Sequence, residues 1–162
     1  MNKQDIYDYL NKQNIWHEIT EHDAVCSMNE LMSVELPYPE CDAKNIFIHD
    51  DKRKNFYLIT LKGNKRLDSK AFRFRHALRP ISFASDDELI GILGLRAGSV
   101  SPFGILNDSE RKVQFFIDKE FWQGRQLIGV HPNENTATVW LRIDDLINII
   151  KQHGNTVTLD EF

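Results

Sequence analysis

Cysteine is scarce in this sequence, and long apolar runs are absent. The 162 residues include two cysteines, Cys26 and Cys41, which form neither a CxxC pair nor part of a ligand array. We therefore expect free thiols in a reducing compartment instead of a disulfide framework or a zinc site. No apolar stretch approaches the roughly 18 residues of a membrane-spanning helix, and no charged-then-apolar leader opens the chain. We expect neither a membrane span nor a secretory signal, and a cytoplasmic location.

The common phosphate-binding and hydrolase motifs are also absent. The chain has no GxxxxGK[ST] loop, no GxGxxG, no HExxH and no GxSxG elbow. His17 and His22 lack a third ligand at a suitable spacing, so a metal site is not expected. Asp86 and Asp87 lie where a helix is predicted to begin, and the helix dipole accounts for them without a catalytic role. The sequence therefore indicates no metal and no cofactor.

The net charge of −4 argues against a protein that coats nucleic acid non-specifically. One segment nevertheless contains many basic residues and a single acid, Asp68. Such a segment could steer a polyanion to one face, or it could be an ordinary solvated helix face. The sequence alone leaves both interpretations open. Its basic residues are Lys62, Lys65, Arg66, Lys70, Arg73, Arg75 and Arg79.

The hydrophobic pattern predicts short strands interspersed with helices. Strands are predicted at residues 15–19, 45–49, 56–62, 113–118, 126–131 and 136–142. Helices are predicted at residues 4–12, from the Ser27 capping box, at 67–78, from Ser85 to Gly94, and from Asp144 to Gly154. Because strands repeatedly follow strands directly, we predict an α+β fold with a mixed, largely antiparallel sheet, curled into a partial barrel with surrounding helices. We expect one domain over residues 1–162.

Three local features carry potential chemistry. Lys44 and Asn45 precede the apolar run that opens a predicted hairpin. The segment GSVSPFG, residues 98–104, contains too much glycine and proline for regular structure and predicts a shaped loop. The segment GVHP, residues 129–132, places His131 where a strand breaks into a turn. Each feature alone has an ordinary explanation: a solvated lysine, a tight connector and a turn histidine.

Taken together, the segments AKN, GSVSPFG and GVHP, in this order and at these intervals, resemble the YbaK-like aminoacyl-tRNA deacylases. These are free-standing relatives of the editing domain inserted in bacterial prolyl-tRNA synthetase. The resemblance extends from DAVCSMNEL through the last predicted helix, and it is strongest to the PrdX-like branch that clears alanine from proline tRNA. It implies a trans-editing hydrolase that needs no cofactor.

The resemblance also implies roles for individual residues. The catalytic set is Lys44, Gly98, Ser99 and His131. The substrate-binding set is Asn45, Ile46, Val100, Ser101, Pro102, Phe103, Gly104, Gly129 and Val130. The basic segment from Lys62 to Arg79 is expected to bind the acceptor-stem phosphates of tRNA. Ile46 and Val130 are the predicted pocket walls that admit an alanyl group and exclude a prolyl ring.

The chemistry is consistent with these roles. An aminoacyl ester is already activated, so its hydrolysis needs a placed water and oxyanion stabilisation more than a strong nucleophile. No Ser-His-Asp or Cys-His order is apparent in the sequence, which favours direct water attack over an acyl-enzyme. The 2′-hydroxyl of the terminal ribose is a candidate to orient that water.

Several alternatives stay open at this point. Related branches remove cysteine from proline tRNA, or alanine or serine from other tRNAs, on the same scaffold. A non-catalytic tRNA- or nucleic-acid-binding regulator would keep the fold without hydrolysis, and a small-metabolite module would use the cleft for a free amino acid. We expect prolyl-tRNA synthetase or an elongation factor to share the tRNA, and the protein to be a monomer or weak homodimer.

Overall fold

The computed structural model describes residues 1–25, 27–31 and 34–162. Its strands are β1 (His17–Glu21), β2 (Ala43–Asp50), β3 (Phe56–Lys62), β4 (Ile81–Phe83), β5 (Val113–Asp118), β6 (Leu127–Val130), β7 (Ala137–Arg142) and β8 (Val157–Asp160). Its helices are α1 (Lys3–Lys12), α2 (Met28–Leu31), α3 (Ser69–Arg75), α4 (Asp86–Glu88) and α5 (Ile143–His153). A π-helical turn, Leu89–Leu93, continues α4. The expected free thiol at Cys26 lies outside the described residues, whereas Cys41 is a free, buried thiol.

The strands form two sheets. The larger is mixed, with strand order β4-β2-β3-β5-β8. In it, β2 pairs antiparallel with β3 and β4, whereas the β3–β5 and β5–β8 pairs are parallel. The smaller sheet is antiparallel, with order β1-β7-β6. A single parallel bridge between Asp42 and Gly129 connects the start of β2 to β6, so the two sheets meet there without closing a barrel.

The hairpin that carries β2 and β3 is held at its turn by a buried carboxylate. Asp50 accepts hydrogen bonds from the backbone N–H groups of Lys54 (3.0 Å) and Asn55 (3.3 Å). It also accepts one from the Asn55 side chain (2.7 Å). This Asp-based turn fixes the register from His49–Phe56 to Ala43–Lys62, and with it the position of Lys44 at the opposite end of the hairpin.

The core has two parts, one on each face of the larger sheet. The main cluster includes Phe47, Leu58 and Phe115 together with the apolar side of α5. The second cluster lies beneath α3, where Phe72 packs on Tyr57 and Phe116. Successive side chains along β2 therefore alternate between the two clusters, as the pleat of a strand requires.

The predicted fold class is confirmed: the protein is α+β, with a mixed and partly antiparallel sheet arrangement surrounded by helices. Two strands were missed, β4 and β8. Both are short edge strands with mostly exposed side chains, and so they lack the alternating pattern that identifies a half-buried strand. The predicted cap at Asp144 was displaced: α5 begins at Ile143, and Asp144 instead accepts a hydrogen bond from Trp122 Nε1 at 2.9 Å.

Candidate active site

A cavity of about 390 Å³ lies where the two sheets meet. It brings together the three segments that the sequence analysis singled out. The side of β2 contributes Lys44 and Asn45, the loop before Pro102 contributes Gly98 and Val100, and the end of β6 contributes Gly129, Val130 and His131. The remaining lining residues are Val25, Ser27, Asn29, Asp42, Ala43, Asn64 and Thr138. The Asp42–Gly129 bridge places the first and third segments side by side.

Lys44 brings a positive charge to this cavity. Lys44 is partly buried and is the second residue of β2, where it pairs with Leu61 of β3. Among the residues that the structure describes, its ammonium group has no hydrogen bond and no ion pair. A lysine that no carboxylate neutralises remains available to an anionic or carbonyl group of a ligand.

Asn45 offers a hydrogen-bond donor beside that lysine. Its Oδ1 accepts a hydrogen bond from the hydroxyl of Thr60 at 2.6 Å, and Thr60 is fully buried. This bond sets the orientation of the amide. In the described part of the chain, Nδ2 has no acceptor, so it can donate into the cavity.

His131 supplies a neutral acceptor on the cavity wall. Its Nδ1 is 2.9 Å from the backbone carbonyl of Ala137, and since a carbonyl can only accept, Nδ1 carries the proton and Nε2 has a lone pair. Burial lowers the pKa of His131 below its ordinary value, and the nearby His22, with ring centroids 6.2 Å apart, adds to this lowering. At neutral pH the imidazole is therefore uncharged, with Nε2 able to accept a hydrogen bond from a water or hydroxyl.

His22 and Thr138 support this wall, and the sequence analysis assigned them no role. The Nδ1 of His22 donates to the backbone carbonyl of Asp23 at 2.8 Å, and its Nε2 forms a hydrogen bond with the hydroxyl of Thr138 at 3.0 Å. Thr138 is buried and lines the cavity. The only signal in the sequence is the alternation along β7, which places residues 137 and 138 on opposite faces.

Asp42 is a charged group of the cavity that the sequence analysis missed. Its residue is 6% exposed and lines the cavity. Burial raises the pKa of its carboxyl to about 7. Within residues 1–25, 27–31 and 34–162, no group donates a hydrogen bond to this carboxylate. A signal was available: an acid stands two residues before the lysine at the start of an apolar strand.

The GSVSPFG loop has a split role. Gly98 and Val100 line the cavity, and Gly98 has φ +87°, a left-handed conformation that favours glycine. Ser99, predicted to be catalytic, instead lines a neighbouring cavity of about 550 Å³ with Arg96 and Asn133. The backbone turns here, because the N–H of Ser99 donates to the carbonyl of Arg96 at 3.0 Å, and Ser99 faces the neighbouring cavity.

The end of the same loop connects it to the histidine. Ser101 is fully buried; its hydroxyl donates to the carbonyl of His131 at 2.5 Å and accepts from the N–H of Phe103 at 3.2 Å. Pro102, Phe103 and Gly104 begin a 3-10 turn and are buried in the core, so they do not line the cavity. The hydrogen bond from Ser101 to His131 therefore joins the GSVSPFG and GVHP segments, and the buried residues 102–104 fix the first of them to the core.

Of the two predicted pocket walls, Ile46 and Val130, only one lines the cavity. Val130 lines the cavity. Ile46 does not: it packs with Ile48 and Phe72 in the cluster beneath α3, on the other side of the sheet from Asn45 and Phe47. The apolar lining of the cavity instead comes from Val25, Ala43, Val100 and Val130. Gly129 is required by packing, since a side chain there would collide with the Trp140 ring.

The basic segment is largely engaged in internal contacts. Lys65 bridges Asp118 (2.8 Å) and Glu120 (2.6 Å), Arg75 pairs with Asp160 (2.9 Å), and Arg79 pairs with Asp51 (2.6 Å). Lys62 donates to the Glu120 carbonyl at 3.4 Å and Arg73 to that of Leu78 at 3.0 Å. Arg66 and Lys70 are exposed and have no such partner among the described residues.

Position divides this segment further. Arg66 lies two residues after Asn64, which lines the cavity. Asp51, the partner of Arg79, follows the last residue of β2 and therefore lies at the opposite end of the hairpin from Lys44. The seven basic residues thus do not form one free surface around the cavity.

In the described part of the chain, no cluster of three or more His, Cys, Asp or Glu side chains is arranged to hold a metal ion. No helix of that part has the length and apolar character needed to cross a membrane.

Comparisons with known proteins identify the family of this chain. Residues 22–149 match the family model of the aminoacyl-tRNA editing domain. The prolyl-tRNA editing protein ProX of Acetoanaerobium sticklandii is 36% identical over 154 residues, which cover 95% of this chain and 93% of that protein. Prolyl-tRNA synthetase associated domain-containing protein 1 of Danio rerio is 26% identical over 161 residues, covering 99% and 87%.

A solved structure assigned to a trans-editing enzyme for prolyl tRNA synthetase has a TM-score of 0.70 and covers 98% of this chain and 94% of that one. Its 17% identity makes this a likeness of fold. The family model covers well over half of the sequence and includes all three segments that meet at the cavity. The predicted resemblance is thus confirmed: the chain belongs to the aminoacyl-tRNA editing domain family and is an aminoacyl-tRNA deacylase.

Proposed function

We propose that this enzyme clears mischarged proline tRNA, and that its substrate is Ala-tRNA(Pro). The observation that carries the proposal is the composition of the cavity: a lysine without an ion pair in the described part of the chain, a neutral histidine and several small apolar side chains line about 390 Å³. The relatives named as prolyl-tRNA editing proteins support proline tRNA as the carrier. The reaction is expected in the cytoplasm, where tRNA is charged and used.

The mechanism uses the polar groups of the cavity that have no partner in the described part of the chain. Water adds to the ester carbonyl, the bond from that carbon to the ribose oxygen breaks, and the products are alanine and a tRNA with a free terminal hydroxyl. Lys44 and Asn45 line the cavity, and their ammonium and amide groups stabilise the negative charge that develops on the carbonyl oxygen. The Nε2 of His131 accepts a hydrogen bond from the attacking water or from the 2′-hydroxyl that orients it.

Size selection is assigned to the valine wall. An alanyl methyl group fits against Val130 and Val100, whereas the prolyl ring requires additional volume next to a well-packed core residue. Cysteine is the competing substrate, because its side chain exceeds that of alanine by one sulfur atom. A hydrophobic pocket discriminates such a difference by only about 1–3 kcal/mol.

The tRNA contact is assigned to Arg66 and Lys70. Both are exposed cations without an ion pair in the described part of the chain, and Arg66 lies two residues after the cavity-lining Asn64. The paired cations Lys65, Arg75 and Arg79 would have to give up an internal carboxylate before binding a phosphate.

The test is single-turnover hydrolysis of proline tRNA charged with alanine, cysteine or proline. We expect the wild type to hydrolyse the alanyl ester fastest and the prolyl ester at background, and Lys44→Ala to lose about 10²–10³-fold, as for an oxyanion donor. Lys52→Ala is the matched control, since Lys52 is an exposed lysine in the turn at the other end of the same hairpin. A preference for the cysteinyl ester would replace alanine as substrate, and no hydrolysis of any ester would reject the proposal.

A further inference from the structure

Asp42 stands apart from the other buried aspartates of the protein. Each of the others accepts hydrogen bonds from backbone or side-chain donors: Asp50 from Asn55, Asp108 from Val113, Asp118 from Lys65, and Asp160 from Arg75. Asp42 is buried to a similar degree but has no donor among the residues that the structure describes. Buried carboxylates are normally paired because an unpaired one is costly.

The backbone holds this residue firmly in place. Its N–H donates to the carbonyl of Pro39 at 3.4 Å, and its own carbonyl accepts from the N–H of Gly63 at 2.7 Å. It also forms the parallel bridge to Gly129. The carboxylate is therefore fixed on the cavity wall between the start of β2 and β6, and is not a mobile surface group.

Lys44 lines the same cavity, and in the described part of the chain the two side chains do not pair with each other. An acid and a base that line one cavity without pairing fit a ligand that carries both signs. The aminoacyl end of a tRNA does: its α-ammonium group, with an ordinary pKa of about 7.7–8.0, is positive at neutral pH, and the neighbouring phosphodiester is negative. The burial that raises the pKa of Asp42 also makes its charged form dependent on an incoming cation.

We propose that the carboxylate of Asp42 binds the α-ammonium group of the aminoacyl moiety and thereby restricts the enzyme to esters with a free amino group. This inference rests on the proposed function. The amine then lies against Asp42, the side chain against the valine wall, and the carbonyl near Lys44 and Asn45. An N-blocked ester, such as an N-acetylaminoacyl- or peptidyl-tRNA, presents a neutral amide to Asp42 and is rejected.

The experiment compares Ala-tRNA(Pro) with N-acetyl-Ala-tRNA(Pro) in single-turnover assays at pH 7.5, with enzyme concentration varied. We expect the wild type to favour the free amine by about 10- to 100-fold, the range for losing a charge-assisted hydrogen bond. Asp42→Asn should lose a similar factor on Ala-tRNA(Pro), mainly in the half-saturating enzyme concentration, and little on the blocked ester. Asp87→Asn, at an exposed position of α4, is the matched control.

Three outcomes would overturn the inference. Equal hydrolysis of both esters by the wild type shows that the amine is not recognised, and this comparison needs no variant. An Asp42→Asn enzyme that keeps the wild-type preference assigns the recognition to another residue. Equal losses on both esters assign Asp42 to the water or the ester instead. In each case hydrolysis of Ala-tRNA(Pro) by the wild type leaves the proposed function intact, whereas hydrolysis of neither ester rejects the proposed function and the inference together.

Discussion

The stability of this protein should depend on pH through Asp42 in a direction opposite to that of a typical paired carboxylate. In the folded protein burial raises the pKa of Asp42 to about 7, from an ordinary value of 3.8. The folded state therefore holds the proton more tightly than the unfolded state does. The resulting stabilisation is complete at a pH below the pKa of Asp42 in the unfolded state. It is lost as the pH rises through the pKa of Asp42 in the folded state.

The magnitude follows from the size of this window. Between pH 5 and pH 7 the folded carboxyl keeps its proton while the unfolded one has lost it, and each pH unit changes the free energy of unfolding by about 1.36 kcal/mol. From pH 5 to pH 8 the wild type should thus lose roughly 3 kcal/mol through this one group. Asp42→Asn removes the titration, while other groups, including His131, contribute equally to both proteins.

The assay is urea denaturation of the wild type and of Asp42→Asn at pH 5 and pH 8, with the free energy of unfolding extrapolated to water. For each protein we take the change in the free energy of unfolding between pH 5 and pH 8, and we compare these two changes. Any destabilisation by the amide that does not depend on pH then cancels. A variant that is as pH-dependent as the wild type would refute the reasoning and would show that Asp42 finds a partner or solvent in solution.

Four further predictions concern the site. Ser101→Ala should cost about 1–3 kcal/mol of stability and slow hydrolysis, because the buried carbonyl of His131 loses its donor; unchanged values in denaturation and single-turnover assays would contradict this role. Val130→Gly should allow hydrolysis of Pro-tRNA(Pro), and hydrolysis at background in a folded variant would remove Val130 as the size filter. At saturating enzyme, where the bound α-ammonium group holds Asp42 charged, the rate should decline only as the pH falls below about 6.5, because the lowered pKa keeps His131 neutral above that pH. A decline centred above pH 6.5 would contradict this. Arg66→Ala should weaken tRNA binding and reduce its dependence on salt, whereas Arg79→Ala should leave both unchanged; equal effects of the two would restore the whole basic segment as the binding surface.

The sequence predicted the parts of the fold that have a strong local pattern. The β2–β3 hairpin was predicted correctly because its apolar strands are long and its turn is rich in charge. Helix α5 was found from its apolar periodicity and from Gly154, which ends it with φ +105°. The edge strands β4 and β8 carry no comparable pattern, because edge strands bury little and their pairing depends on distant residues.

The candidate site was predictable as a set of segments but less so as a set of side chains. The order of AKN, GSVSPFG and GVHP identified which loops meet, and the cavity is lined by all three. The direction of each side chain depends on the strand pleat and the loop path. Ser99 and Ile46 therefore lie on the wrong sides, although each is adjacent in sequence to a lining residue.

Asp42 was missed in the sequence for a different reason. Burial, and not residue type, distinguishes it from Asp86, which is exposed at a helix start. The same holds for the basic segment: Arg66 and Arg79 look equivalent in the sequence, and only the contact between Arg79 and Asp51 separates them. Pairing between residues distant in sequence decides which charges remain available.

The polar groups that line the cavity are together complementary to the aminoacyl end of a tRNA. Lys44 and the Asn45 Nδ2 are donors, whereas the His131 Nε2 and the Asp42 carboxylate are acceptors, and none has a partner in the described part of the chain. A fold selected for stability alone would pair such groups or replace them with apolar side chains. A ligand with an ammonium group, an ester carbonyl, a ribose hydroxyl and a phosphate satisfies all four at once, whereas a free amino acid offers neither the ribose hydroxyl nor the phosphate. The pattern of unpaired groups therefore favours the aminoacyl end of a tRNA over a small metabolite as the occupant of this cavity.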